Sequence, residues 1–240
     1  MDIGIKIFPE DLEYAKRIAK YCDFFEVMAL PKSDFRAMKV LGKPFTIHTI
    51  HSHWGFNPAN PAKKKLNLMA TDTAAKAADI LGADVIVVHP GQIESDKCSL
   101  EHAVSFISRL DSRFVVENMP ATVKEMNHVG CNSDELKLLT TQPKRNMCLD
   151  FPHAAEYAHS RNVDYKYFVK SLMQEFDPRY FHISDTRIQN RVDMHLHLKE
   201  GNLRLWYFEK IIPRRSRLLI ETAHEFRKQH RDILLIKEHE

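Results

Sequence analysis

The sequence predicts an α/β fold, a (β/α)8 TIM barrel forming a single domain over residues 1–240. Three observations predict it. Short runs rich in β-branched and aromatic residues alternate with stretches of helical spacing along the chain, the pattern of repeated βαβ units. Several of those runs are apolar nearly throughout, as expected of strands buried on both faces. A length of 240 residues suits one such barrel, and no linker, low-complexity tract or fixed-period repeat divides the chain.

The elements follow in order. IGIKIF (3–8) is the first strand, and 9–21 is a helix with acidic residues near its start, where the helix dipole favours them. FFEVMAL (24–30) is the second strand, followed by a short helix over 33–41. KPFTIHT (43–49) is the third. The helix over 60–82 has Asn60 as N-cap, Pro61 in its first turn and Gly82 as its stop. DVIVVHPG (84–91) is the fourth strand, with a helix over 99–110 after it. RFVVENMP (113–120) and RNMCLDFPH (145–153) are the fifth and sixth. A helix over 165–176 leads to YFHISD (180–185), and RLLIETA (217–223) is the eighth strand before a last helix over 224–235. Between the last two strands, RVDMHLHLKEGN alternates Asp193, His195 and His197 with Met194, Leu196 and Leu198. Taken alone, that alternation is a half-buried strand. An Asp and two His make an odd outer face, however, and Asp-x-His also sets a carboxylate beside an imidazole, as a divalent ion requires.

A hydrophobic content of 44% with 28% charged residues describes a soluble globular protein. No apolar run is long enough to span a bilayer, and the N-terminus lacks the pattern of a signal peptide. The cysteines Cys22, Cys98, Cys131 and Cys148 have no paired spacing, which argues against a disulfide framework or a cysteine zinc site. The expectation is a cytoplasmic protein with no membrane partner. A net charge of +3 permits binding to nucleic acid without demanding it. The 14 histidines are the outlier, His being the commonest metal ligand.

In a parallel barrel the chemistry sits at the C-terminal ends of the strands. Those ends offer His48, His89, Glu117, Asp150 with His153 just beyond, His182 with Asp185, and Glu221, on six consecutive strands. Each residue alone has an ordinary reading: the histidines as hydrogen-bonded core residues, the carboxylates as helix caps or surface charges. Together they do not, because buried carboxylates that converge without cations are costly, and these six strand ends carry no Lys or Arg. The pattern therefore predicts a metal centre. Imidazoles and carboxylates without cysteine favour zinc, or manganese or iron at some positions. The candidates exceed what one ion takes, so two or three ions are expected.

The motifs IHT, VHPG, VVEN, CLDFPH, FHISD, DMH…KEGN and LIET, in that order, resemble the endonuclease IV family. These are zinc-dependent abasic-site endonucleases within the wider xylose-isomerase-like TIM-barrel superfamily, and the resemblance runs from about Lys43 to the end of the chain. It implies about three zinc ions: one on His48, His89 and Glu117, a second on the bridging Glu117 with Asp150, His182 and Glu221, and a third on His153, Asp193 and His195. It implies cleavage of DNA at abasic sites by an activated water, with Glu117, Glu221 and Asp150 as the catalytic carboxylates and no covalent protein nucleophile. Asp185 is then expected to hold ligand histidines in one tautomer, and His197, left without a metal role, to be a supporting or surface residue.

The substrate surface departs from that family. The chain opens DIGIKIFPED where the family has a Gly-Ala-His-like segment, and His51 stands near the place of a DNA-wedging Tyr. His51, Trp54, Arg187 and Arg191 are the expected substrate contacts, with Phe56 as a stacking residue or loop packing and Lys63, Lys64 and Lys65 as a nearby basic run. Two alternatives stand beside the endonuclease. One is a sugar or sugar-phosphate isomerase or epimerase using one divalent metal on Glu117, Asp150, His182 and Glu221, with the two Glu shuttling protons. The other is a hydrolase of small phosphoesters. His48, His89, Asp193 and His195 discriminate, being superfluous to a one-metal isomerase.

Overall fold

The computed structural model describes residues 1–123, 125–141, 146–190 and 193–238. Eight strands close a parallel barrel. They are β1 (Asp2–Ile7), β2 (Phe24–Met28), β3 (Phe45–His48), β4 (Ile86–Val88), β5 (Phe114–Glu117), β6 (Met147–Asp150), β7 (Tyr180–Ile183) and β8 (Arg217–Ile220). Each pairs with its neighbours in chain order, and β8 closes on β1 through Asp2↔Arg217 to Ile5↔Ile220. Outside lie α1 (Leu12–Ile18), α2 (Lys64–Leu81), α3 (Leu100–Ile107), α4 (Ser133–Thr141), α5 (Phe151–Ser160), α6 (Tyr165–Phe176), α7 (Trp206–Glu209) and α8 (Phe226–Lys237). None of the described helices is long and apolar enough to cross a membrane.

Local chemistry sets most boundaries. The Asn60 side chain accepts the Ala62 N–H and caps a 3-10 turn, Pro61–Lys63, that feeds α2. Gly82, at φ +71°, ends α2 in the left-handed region that glycine tolerates. The segment after β2 is a 3-10 helix, Phe35–Leu41, capped by Asp34. Helices α4, α5 and α7 go beyond the elements the sequence predicts. In α5, Pro152 occupies the first turn and the Asp150 side chain accepts the His153 N–H, so 151–153 begin a helix instead of prolonging β6. The alternating DMHLHL is not a strand either. Residues 193–197 form a loop that meets Asp185 through an isolated bridge at Leu196, and His195 at φ +44° breaks the extended path.

The main apolar core lies between barrel and helices, and a smaller one fills the barrel with Phe24, Val87, Val115, Cys148, Tyr180 and Leu219. Side chains alternate across a strand. The residue two positions further on from each of these therefore also faces inward: Glu26, His89, Glu117, Asp150, His182 and Glu221. The same step on β1 and β3 runs from Gly4 to Lys6 and from Thr46 to His48. All eight strands thus carry a polar group in the upper interior, above an apolar floor.

Gly4 is where that floor is tightest, since a Cβ there would lie 2.3 Å from the Phe24 ring. Gly4→Ala is expected to displace the ring and cost about 1–3 kcal/mol by overpacking. Calorimetry should show a lower Tm, partly restored by adding Phe24→Leu; an unchanged Tm would show that the ring moves freely.

Candidate metal centre

The Glu117 carboxylate, 1% exposed, is the meeting point. Its Oε2 lies 3.2 Å from His48 Nε2 and 3.0 Å from His89 Nε2, and its Oε1 lies 3.3 Å from His153 Nδ1 and 3.4 Å from His182 Nδ1. Three of these rings are oriented by a partner outside the cluster. His48 Nδ1–H donates to the Thr49 carbonyl at 2.6 Å, His153 Nδ1–H to the Asn118 carbonyl at 3.0 Å, and His182 Nε2–H to Glu26 Oε2 at 3.1 Å. Each leaves its other nitrogen facing carboxylates, the arrangement of metal-binding imidazoles held by outer partners.

Among the described residues, His48, His89 and Glu117 form a set whose ligand atoms all lie within 4.8 Å of one another, and so do Glu117, Asp150, His182 and Glu221. Glu117 belongs to both. Glu26, His48 and His182 form a further set. The predicted third set is joined only through Asp193, whose Oδ2 lies 3.4 Å from His153 Nε2 and 2.9 Å from His195 Nε2, and its ligand atoms do not gather within 4.8 Å as the others do. His182 Nδ1 faces carboxylate oxygens, Glu221 Oε2 at 3.0 Å and Glu117 Oε1 at 3.4 Å, while Asp193 Oδ1 and His195 Nδ1 are buried without a hydrogen-bond partner. Such atoms ordinarily cost about 1–3 kcal/mol each. An imidazole and carboxylate donor set with lone pairs turned inward fits divalent zinc-type ions.

The expectation that no cation neutralises these carboxylates is overturned by Lys6 on β1. Its Nζ lies 2.5 Å from Glu221 Oε1 and 3.7 Å from Glu26 Oε1, and the residue is 8% exposed. Sequence reasoning missed both Lys6 and Glu26. The signal was a single charge inside an otherwise apolar strand, in IGIKIF and in FFEVM. Glu26 also accepts from the Tyr180 hydroxyl at 2.8 Å, and that hydroxyl lies 2.7 Å from Thr46 Oγ1.

Other expectations are also corrected. Asp185 holds no histidine; it accepts the N–H groups of Thr186, Gly201 and Leu203 and so pins the loop that carries Asp193 and His195. His197 is not at the surface: it is 2% exposed, with Nδ1 2.6 Å from Asp232 on α8. Of the two readings open for Phe56, packing is the one found: it is 1% exposed and lies near Phe106. Of the expected substrate contacts, His51 lies at the mouth, its ring stacked on His89 at 5.5 Å and edge-on to Trp54 at 4.6 Å. Trp54 is half-buried against the core, Arg187 is exposed, and Arg191 lies outside the described residues. Lys63 is paired with Glu94 at 2.8 Å, leaving Lys64 and Lys65 exposed. A cleft of about 830 Å³, lined by His128, Glu156, Tyr157 and Arg161 among others, flanks α5 and the loop after β7.

Electrostatics follow from burial and pairing. Burial pushes the Glu117 carboxyl up, but the imidazoles, His89 and His182 foremost, hold it well below the usual carboxylate range. Asp150 is pushed up to about 7 by burial and by the charges of Glu117 and Glu221. Burial alone would lower His153, His182 and His195, yet nearby carboxylates raise His153 and His195, the latter to about 9 through Asp193, and Cys148 followed by Glu26, Glu117 and Glu221 raises His182. His51 falls to about 2, chiefly by burial, and stays neutral.

The chain matches the xylose isomerase-like TIM barrel model over residues 23–227. It belongs to the xylose isomerase-like TIM barrel family. Among solved structures, endonuclease IV from Thermus thermophilus superposes with TM-score 0.78 at 19% identity, covering 100% of this chain and 98% of that one. A D-tagatose 3-epimerase-like protein does so with TM-score 0.77 at 20% identity, covering 100% and 97%. Another Thermus thermophilus protein, soaked with zinc chloride, matches at TM-score 0.70 and 18% identity, covering 100% and 98%. At these identities the likeness is one of fold. No curated protein matches.

The raised histidines make the metal-free protein sensitive to pH. A folded pKa above the unfolded value near 6.5 contributes stability below that value and loses it as pH rises through the folded pKa. For His195 the window runs from about 6.5 to about 9. The metal-free protein is therefore expected to melt lower at pH 9 than at pH 6.5, while the affinity for any divalent ion the cluster takes up should rise over the same interval because ions bind neutral imidazole. Melting curves and chelator competition at the two pH values check both signs.

Proposed function

We propose that this member of the family is a metal-dependent phosphoester hydrolase working in the manner of endonuclease IV, with about three zinc-like ions. One observation carries the reading. His48 and His89 converge on the Glu117 oxygen opposite the one facing His153 and His182, so a single buried carboxylate serves two ligand sets. A one-ion isomerase needs Glu117, Asp150, His182 and Glu221, and has no use for a second set sharing Glu117.

His48, His89 and Glu117 would hold one ion and Glu117, Asp150, His182 and Glu221 a second; His153, Asp193 and His195 would close on a third. Such ions supply Lewis acidity toward phosphoryl oxygens and acidify water toward neutral pH. The chain's own residues position and exclude. Asp150 is fixed by accepting the His153 N–H at 2.6 Å. Glu117 and Glu221, deprotonated at neutral pH, are poised to orient a water or take its proton. Neutral His51 stands at the mouth to hydrogen-bond substrate, and exposed Arg187 offers a phosphate contact. Abasic duplex DNA is the first substrate to test, and small phosphodiesters the second. The isomerase or epimerase reading keeps one support: its four residues form a complete set by themselves.

Elemental analysis of protein purified without chelators is expected to give about two to three zinc-like ions per chain. Glu117→Gln should lose more than one of them and reduce cleavage of abasic duplex or bis(p-nitrophenyl) phosphate by at least about a hundredfold. A single magnesium or manganese ion, with turnover of sugars and none of phosphoesters, would instead establish the isomerase.

A further inference from the structure

Four side chains on or just beyond the adjacent strands β7, β8, β1 and β2 close a circuit of alternating partners. Lys6 Nζ lies 2.5 Å from Glu221 Oε1, and Glu221 Oε2 lies 3.0 Å from His182 Nδ1. His182 Nε2 lies 3.1 Å from Glu26 Oε2, and Glu26 Oε1 returns to Lys6 at 3.7 Å. All but Glu221 are less than a tenth exposed. The sequence motifs that carry the family resemblance include neither Lys6 nor Glu26.

The circuit constrains two candidate ligands in opposite ways. Glu26 is acceptor-only when ionised, so it selects the His182 tautomer with the proton on Nε2 and the lone pair of Nδ1 turned toward Glu117 and Glu221. Without it, the proton has no reason to stay on the far nitrogen. Lys6 engages one of the two Glu221 oxygens and leaves the other facing the cluster. It also places a permanent positive charge next to the place where a cation would sit, and that charge opposes the ion. The Tyr180 hydroxyl, donating to the same Glu26 oxygen as His182, keeps Glu26 from swinging toward Lys6.

We infer that Lys6 and Glu26 are positioning residues of opposite sign for the ion held by Glu117, Asp150, His182 and Glu221. Glu26 strengthens its binding by orienting His182, and Lys6 weakens it by claiming an oxygen of Glu221. The consequence is an ion held firmly in direction and loosely in energy. The inference rests on the proposed metal centre but not on the reaction, because the one-ion isomerase uses the same four residues.

The test is zinc affinity of the full-length protein by chelator competition, read beside long-range ¹H–¹⁵N NMR of the histidine rings in the zinc-loaded state. Glu26→Gln should weaken the ion about 10- to 100-fold, as loss of an outer partner does, and should change the His182 ring signals. Lys6→Met should tighten it by about tenfold or more. Lys6→Gln, which keeps a donor toward Glu221 without the charge, should tighten it too, and it serves if the Met variant fails to fold. Variants that all weaken binding, as general loosening of the barrel would, overturn the inference, and so do variants that leave affinity unmoved. A parent that binds no divalent ion overturns the metal-centre reading itself. Turnover of sugars with the affinity shifts intact overturns only the hydrolase.

Discussion

Everything in the upper barrel depends on keeping one carboxylate charged in a place without water. Taking Glu117 out of solvent costs several kcal/mol unless its charge is matched at close range. Four imidazoles surround it, two on each oxygen, delivered by β3, the residue after β4, β7 and α5. They reach it only because the sheet closes. An open sheet would leave β3 and β7 on separate sides of β5. The apolar floor formed by Phe24, Val87, Val115, Cys148, Tyr180 and Leu219 fixes the barrel's width beneath this cluster, so packing and electrostatics are solved by the same eight strands.

The two halves of the barrel handle charge differently. On or just beyond β3 to β6 the groups are His48, His89, Glu117 and Asp150, where imidazoles face the carboxylates and where an ion could sit. On β7, β8, β1 and β2 the protein supplies a cation of its own in Lys6. The polar ring is therefore partly compensated without metal, and the metal-free chain has an electrostatic route to folding. A centre that relied wholly on metal would fold only when loaded.

What the family's barrels do is decided above the strands. The two ends of the loop after β7, at Thr186 and at Gly201 to Leu203, are pinned by one buried carboxylate taking three backbone N–H groups, with Gly201 so close that a Cβ would lie 2.3 Å from the Thr186 carbonyl oxygen. That loop carries Asp193 and His195, which join His48 and His89 among the residues that a one-ion isomerase would not need in the proposed reading. An endonuclease and an epimerase-like protein superpose on this chain equally well, which is the expected result when the barrel is common property and the chemistry is set at its mouth.

By itself the sequence determined the strands and six of the eight inward polar positions. A strand buried on both faces leaves a continuous apolar run, and a polar residue at its C-terminal end stands out against it. His48, His89, Glu117, Asp150, His182 and Glu221 are all visible in that way. Lys6 and Glu26 were not, because one charge inside an apolar strand has no face until pairing closes the barrel and parity sends it inward. Local pattern also misjudged DMHLHL: alternation predicts a strand, but His195 at φ +44° turns the chain and aims Asp193 at His153. The burial of His197 waited on the docking of α8, which brings Asp232 to within 2.6 Å. Periodicity reports what neighbours in sequence share. Which charges meet across the barrel depends on strands far apart in the chain, and only their closure decided it.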